Sequence, residues 1–563
     1  MSMIVFFSDE RVNYCVQARE KRNRDMGSPA PERSLEIDPP RVGSPRLDPY
    51  QRLLSRFYEQ LFLLNALGQT RGSHKTPSFD LDASRARSRR FLQNLCYVCD
   101  FRKGGSTCTA IGLQEIDTGY NFCVASNGET DEIVAFLRTA LDALRIIAHS
   151  AGTKDVDRES QLVKMCIEFA AERIEDERKC VRREAKNCLS KLNGQFAVSG
   201  VSLLSPFSII REVTVQLIDR SNCSGLDAWL DTIMSFDDHF QLCKFAYNNR
   251  HSLHVNELGR RGSEEEMWLS PSRKRSSFIL VRHYFGRLAH HIRASKELIR
   301  DSEDLGHLFD HYAVCPIYAP SAVPPPICDS HTNLRGILNR MFKENSEERD
   351  MLKDGLLHLN KVGGIFNTFL RQYNGSALEV HAEVQVLEYF WKMRMSFAGE
   401  DRFIACSKPA CVCCELYFEY HPARVMVSSS HRKVWKKWSP PYIEQFDNKH
   451  PAARQQRDVL NKMTENLREQ VRCHVIQCLP SKRWHPDSIT NITETRWSSF
   501  NSNSLETSDA ETPKILSSIT LQNHQNRCAS SSDTKVVGTS DAEADFDEVF
   551  GSENGGVSLS GYT

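Results

Sequence analysis

A histidine followed two places later by a glutamate occurs once in this chain, at His381-Ala382-Glu383. A Cys-x-x-C pair, Cys411 and Cys414, follows it; a second, Cys96 and Cys99, lies far upstream. Each pattern alone arises about once by chance at this length and composition. Their succession within one short stretch is a stronger signal. A catalytic zinc takes three N or S ligands and leaves a fourth position open for water. His381 at the start of one helix, with Cys411 and Cys414 at the start of the next, supplies three such donors. Helix N-termini also stabilise the thiolate, the form that binds metal. Glu383 stands two residues past the histidine, so it does not share that ligand's direction and is free to move protons. Cys413, between the two ligands, points away and reads as core, with Cys406 a substitute ligand at most. Cys96 and Cys99 have no histidine partner at finger spacing and also read as core.

The elements around these residues alternate. HAEVQVLEYFWKMRM reads as a helix, RFIAC as a strand, CVCCELYFEY as a helix and RVMVSS as a strand. A helix over 451–472 and a last strand, CHVIQCL, complete the series. Such alternation predicts parallel strands joined by helical crossovers. Upstream, 50–67 is periodic enough for a helix, and 104–127 is a β-hairpin around Asp117-Thr118-Gly119. Helical periodicity then dominates at 131–149, 155–190, 223–247, 278–303 and 346–373, with a charged surface loop expected at 257–277. The expected units are a disordered leader (1–48), a helical segment (49–103), the hairpin (104–127), a helical domain or insertion (128–372), a zinc domain (373–485) and an acidic Ser/Thr-rich disordered tail (490–563).

The 563 residues carry 72 basic and 72 acidic side chains, so no global charge bias points to nucleic acid or membrane. Residues 499–563 hold ten acidic and three basic residues, leaving +7 on the rest. No run of about 18 apolar residues and no signal-peptide core occurs, so the chain reads as cytoplasmic or nuclear and its 19 cysteines mostly as thiols. The basic heptapeptide PSRKRSS at 271–277 reads as a solvated loop or a localisation signal.

HAEVQ, separated by 25 residues from the Cys411 of SKPACVCC, resembles the zinc-dependent nucleobase deaminases of the cytidine deaminase-like superfamily, with their H-x-E and P-C-x-x-C motifs. The likeness is closer to a toxin-like branch with many fungal members, where Ser-Lys-x-x-Cys-x-x-Cys is followed by a His-Pro pair and a Trp/Pro-rich loop; here these are His421-Pro422 and HRKVWKKWSPP. One departure is that Ala410 separates Pro409 from Cys411. The resemblance implies a three-layer α/β core, a mixed sheet flanked by helices, beside the large α-helical region. It implies zinc on His381, Cys411 and Cys414, Glu383 as general acid/base, and a nucleobase-containing substrate. It also implies pocket contacts from Ser407, Lys408 and Ala410, and from Asn127 at the end of the hairpin, although Asn127-Gly128 also reads as an ordinary turn. The family's hairpin directly precedes its H-x-E helix, whereas here that position is helical. The domain is therefore expected to be split, with 104–127 lying beside 402–406 and Phe122 and Val124 under the His381 helix.

In the loop after RVMVSS, Arg432, Lys433, Lys436 and Lys437 interleave with Trp435 and Trp438. Cations for phosphate and aromatic faces for bases suit single-stranded nucleic acid; a solvated basic loop is the plainer reading. Three functions compete: a nucleobase deaminase, a catalytically inactive deaminase-fold interaction module, and an intracellular conflict effector using deaminase chemistry. Intact Glu383 favours an enzyme, because a structural zinc needs no proton shuttle.

Overall fold

The computed structural model describes residues 47–76, 82–149, 156–193, 225–269, 275–342, 346–447, 449–477 and 484–488. The expected tail, nearly all of the leader and residues 271–274 of the basic cluster lie outside the described residues. Two helices open the described chain, α1 (Pro49–Ala66) and α2 (Ala83–Cys99), each begun by an aspartate that accepts backbone N–H bonds as its cap. A hairpin follows, β1 (Thr109–Ile116) and β2 (Gly119–Ser126). Its turn requires glycine: Gly119 has φ +145°, and a side-chain carbon there would stand 2.0 Å from the His311 carbonyl oxygen.

Seven helices come next: α3 (Thr130–Ala148), α4 (Val156–Phe169), α5 (Ala171–Leu192), α6 (Leu226–Ser235), α7 (His239–Asn249), α8 (Leu253–Trp268) and α9 (Ser277–Asp304). A strand, β3 (Tyr312–Ile317), precedes α10 (Leu334–Met341), α11 (Glu347–Gly363) and α12 (Ile365–Arg371). The segment with the chemistry then runs α13 (Ala382–Met393), β4 (Phe403–Cys406), α14 (Val412–Tyr420), β5 (Met426–Val427) and α15 (Pro451–Ile476).

The strands form one mixed sheet in the order β3-β2-β1-β4-β5. β1 is antiparallel to both β2 and β4, whereas β3 runs parallel to β2 and β5 parallel to β4. Ala110 stands opposite Cys406 and Gly112 opposite Ile404, so the hairpin at 104–127 lies directly beside the strand expected at 402–406. Side chains alternate between two cores. Ile111, Leu113, Phe122, Val124, Phe403 and Ala405 join α2 to α9 on one face; Ala110, Cys123, Ala125, Ile404 and Cys406 join α1 and α13 to α15 on the other. Phe122 and Val124 thus pack away from the His381 helix, contrary to expectation. The residues beneath α13 are small: at Gly112 a side-chain carbon would stand 2.8 Å from both Phe390 and Val386, so the helix sits closer than a larger residue permits.

Three other expectations are corrected. Of the loop expected at 257–277, residues 257–268 are helical: α8 occupies Leu253–Trp268, and its charges sit at helical spacing, Arg260 on Glu257 and Glu264, Arg261 on Glu257. CHVIQCL does not start a strand; α15 continues to Ile476 because Leu467, Val471 and Val475 repeat every four residues and are all buried. β3 went unread because Pro316 breaks its pattern, yet an edge strand tolerates proline. No helix among the described residues is long and apolar enough to cross a membrane.

The helical layer is tied by buried polar groups: Glu177 of α5 accepts from Arg287 Nε at 2.6 Å and pairs with His291 Nε2 at 3.1 Å, both on α9. Nearby His283 is 6% exposed. Burial, reinforced by Arg287, pushes its pKa down to about 3, with Glu177 opposing and Arg275 and His74 adding slightly. A folded-state value below the unfolded 6.5 means that its contribution is complete above pH 6.5 and lost as pH falls from there toward 3. We expect this histidine alone to cost about 2 kcal/mol of stability between pH 7 and pH 5. Urea unfolding at the two pH values checks this: His283→Gln should shrink the difference by that amount, and an unchanged difference rejects the assignment.

Candidate active site

His381 precedes α13 in extended conformation, and its imidazole makes no cap bond to the helix backbone. Cys411 takes the same place before α14, and its Sγ accepts the Cys414 amide at 3.4 Å. The two helix starts face each other across the end of β4. His381 Nδ1 lies 3.7 Å from Cys411 Sγ and 3.3 Å from Cys414 Sγ, and the three donor atoms all fall within 4.8 Å of one another. A tetrahedral ion about 2.0–2.3 Å from each donor holds them roughly 3.5 Å apart, so the set fits zinc with one position open. This is the only such His/Cys/acid group among the described residues.

The electrostatics already lean toward a bound cation. Burial opposes ionisation of the Cys411 thiol, but hydrogen bonds with Cys413 and Cys414 and the His381 charge outweigh it and hold its pKa well below the ordinary range. Burial and the Cys411 charge push Cys414 up. His381 is raised to about 9: burial works against its protonation, and Cys411 more than compensates. A dication that enters this set displaces protons, because it binds thiolate and neutral imidazole. Glu383, 3% exposed, has its pKa raised from the ordinary glutamate value by burial, with His381 opposing.

Residues distant in sequence complete the surroundings. Asn127, from the end of β2, accepts the Ala382 amide on Oδ1 at 2.8 Å and donates Nδ2 to the Gly105 carbonyl at 3.0 Å. It supplies from the hairpin the cap that α13 lacks and so helps to position His381. Gln385 Nε2 bonds the Ser126 and Val380 carbonyls and fixes the same joint. Cys406 Sγ lies 3.9 Å from Glu383 Oε2 and 3.6 Å from Cys108 Sγ, while Ser407 Oγ accepts the Thr109 amide at 3.1 Å. Lys408 is half-buried. Ala410 is buried, its N–H bonding the Ser429 carbonyl and its carbonyl accepting from His431, so its backbone is spent on the loop rather than offered to a ligand.

The basic loop is not a solvated arm. Its backbone pairs with residues 70–75 on one side and 410–412 on the other. Trp438 is fully buried and donates Nε1–H to Cys414 Sγ at 3.2 Å. Lys433, 1% exposed, pairs with Asp487 and lies over the Trp484 ring at 4.6 Å. These two therefore leave the set of candidate nucleic-acid contacts: a side chain held inside meets no strand. Trp435, Arg432 and Lys437 remain half-buried and Lys436 exposed. Cys96 and Cys99 lie buried on α2 in the helical core, as their lack of partners suggested. Sequence reasoning missed Trp438 as a ligand's hydrogen-bond donor, because only the folded loop brings it to Cys414. It also missed residues 484–488, which dock through Lys433 and through His485 Nε2 on the Gly72 carbonyl at 2.9 Å.

Residues 380–442 match the family model OTT_1508-like deaminase, which supports a deaminase-family domain over that stretch. No curated protein and no solved structure matches the chain.

Proposed function

We propose that the chain is a zinc-dependent hydrolase that removes the exocyclic amine of a nucleobase, either free or carried in a nucleotide or nucleic acid. One observation carries this reading: a His/Cys/Cys donor set of zinc geometry has a buried carboxyl, Glu383, two residues from the histidine. The match over 380–442 to a deaminase family supports it independently.

His381, Cys411 and Cys414 would hold the zinc, which when bound supplies the electrophile that makes hydroxide from water near neutral pH. The protein's own groups do the rest. Trp438 Nε1–H bonds the Cys414 sulfur and fixes its direction, as partners of metal ligands commonly do. Asn127 and Gln385 anchor the helix start that aims His381. Glu383 takes a proton from water and delivers it to the amine nitrogen. The amidine carbon gains oxygen and loses ammonia, so water is the only co-reactant. Its elevated pKa suits a carboxyl that must both accept and release a proton.

The test is incubation of purified full-length protein with nucleobases, nucleosides, nucleotides, single-stranded DNA and RNA. Ammonia release with a mass gain of about 1 Da is the expected result. Elemental analysis should find about one zinc per chain in wild type and none in a Cys411→Ser/Cys414→Ser variant. Metal-free wild type, or undiminished zinc in the double variant, would reject the centre.

A further inference from the structure

We propose that Arg71 and Arg432 form a phosphate site at the rim of the zinc-ligand cluster, so that the substrate carries a phosphate next to its base. The part concerning the base rests on the deaminase reading above; the anion site stands on its own geometry.

The two arginines are brought together by backbone. The Arg71 N–H bonds the Arg432 carbonyl at 2.8 Å, with Thr70 bridged to Lys433 and Lys75 to Ser430. Ser430 is bridged in turn to Ala410, and the Val412 N–H bonds the Lys433 carbonyl at 3.0 Å, so Arg432 sits on the segment beside Cys411 and Arg71 on the next segment out. The Arg432 guanidinium lies over Gly72, where a side-chain carbon would stand 3.8 Å from Nη1; Gly72 has φ +142°. Two like charges are thereby held side by side, and burial together with Arg432 depresses the Arg71 pKa to about 10.

Among the described residues no carboxylate offsets them. Among the described residues neither arginine forms an ion pair, and the acids nearby are taken: Glu415 by Lys75 at 2.9 Å and Asp487 by Lys433. Among the described residues the Arg71 guanidinium has one hydrogen bond, from Nε to the adjacent Thr70 carbonyl at 3.4 Å. Arg432 Nε is buried without any partner. Both side chains are half-buried rather than closed off, so an oxyanion can reach them in place of water. Two planar forks with no counter-charge suit an oxyanion that accepts from both, and phosphate has the oxygens to do so. A phosphate bound there would tether its base beside Glu383, which makes a phosphorylated nucleobase compound the fitting substrate class.

The experiment measures binding by calorimetry to full-length Glu383→Gln protein, so that no turnover intervenes. The probes are adenosine, cytidine and guanosine, their 5′-monophosphates, and a short single-stranded oligonucleotide. A phosphate-bearing probe should bind on the order of 10- to 100-fold more tightly than the matching nucleoside, and Arg71→Gln or Arg432→Gln should reduce that ratio to near one. An advantage seen with monophosphates places a phosphomonoester in the site. One seen only with the oligonucleotide, and falling linearly with log salt, places a backbone phosphodiester there. Zinc content reports whether each variant folds; where a glutamine variant loses zinc, Arg→Lys variants carry the test and should lose most of the ratio while keeping the charge. Equal binding of phosphorylated and plain probes, or an advantage untouched by the arginine variants, overturns the proposal. Ammonia assays separate the two readings. A phosphate advantage lost in the variants, with no ammonia from wild type, sinks the deaminase reading alone. Ammonia from wild type without any phosphate advantage sinks the phosphate site alone.

Discussion

Glu383→Gln should keep zinc at the wild-type level and lose about 10²- to 10⁴-fold in turnover. The two halves of that result belong together. The carboxyl sits beside the donor set but is not one of the three atoms grouped for a metal, so an isosteric amide leaves the ligands as they were. The amide can neither accept the proton of water nor hand one to the leaving amine. Substrate affinity should change little, so the loss falls on kcat rather than KM. Metal loss in Glu383→Gln would make the residue a ligand and the role assignment wrong. Retained metal with full turnover would leave a zinc site without a proton shuttle, and hydrolysis would then need another base.

The His381, Cys411 and Cys414 cluster was legible from sequence because its parts are local. His381 and Glu383 share one helix start, Cys411 and Cys414 another, and both starts follow from helical periodicity and the short strand between them. The hairpin was legible too, since Asp117-Thr118 between alternating runs leaves little else for 109–126 to be. Three things were hidden, each for a physical reason. β3 carries a proline that its edge position excuses. The face that meets α13 is built of Ala110, Gly112, Cys123 and Ala125, whereas bulk suggested Phe122 and Val124; close helix–sheet packing selects small residues, which look unremarkable in a sequence. The basic loop looked solvated because charge and aromatic content say nothing of backbone pairing, and pairing is what draws Lys433 and Trp438 inside.

An isolated 376–480 fragment should be insoluble or molten and should not retain stoichiometric zinc, although it contains every ligand and Glu383. It keeps only β4 and β5, joined by two residue pairs, and exposes the edge of β4 that β1 covers in the full chain. It also leaves α13 without the β1–β2 surface beneath it, α15 without α1, and Ala382 without the Asn127 oxygen. A soluble fragment that unfolds cooperatively and binds zinc would show that residues 104–127 are dispensable to the unit that holds the metal. The complementary change leaves the chain whole. Gly112→Val places side-chain carbon where Val386 and Phe390 already stand, so α13 must lift from the sheet, at a cost of about 1–3 kcal/mol. Because His381 is fixed to that helix while Cys411 and Cys414 are not, the lift should also widen the donor set and weaken zinc retention against a chelator. Lower stability with unchanged zinc affinity would mean that the hairpin supports the sheet without setting the position of His381. A fall in both ties the distant hairpin to the centre, because then the same contact that packs the core also aims the ligand.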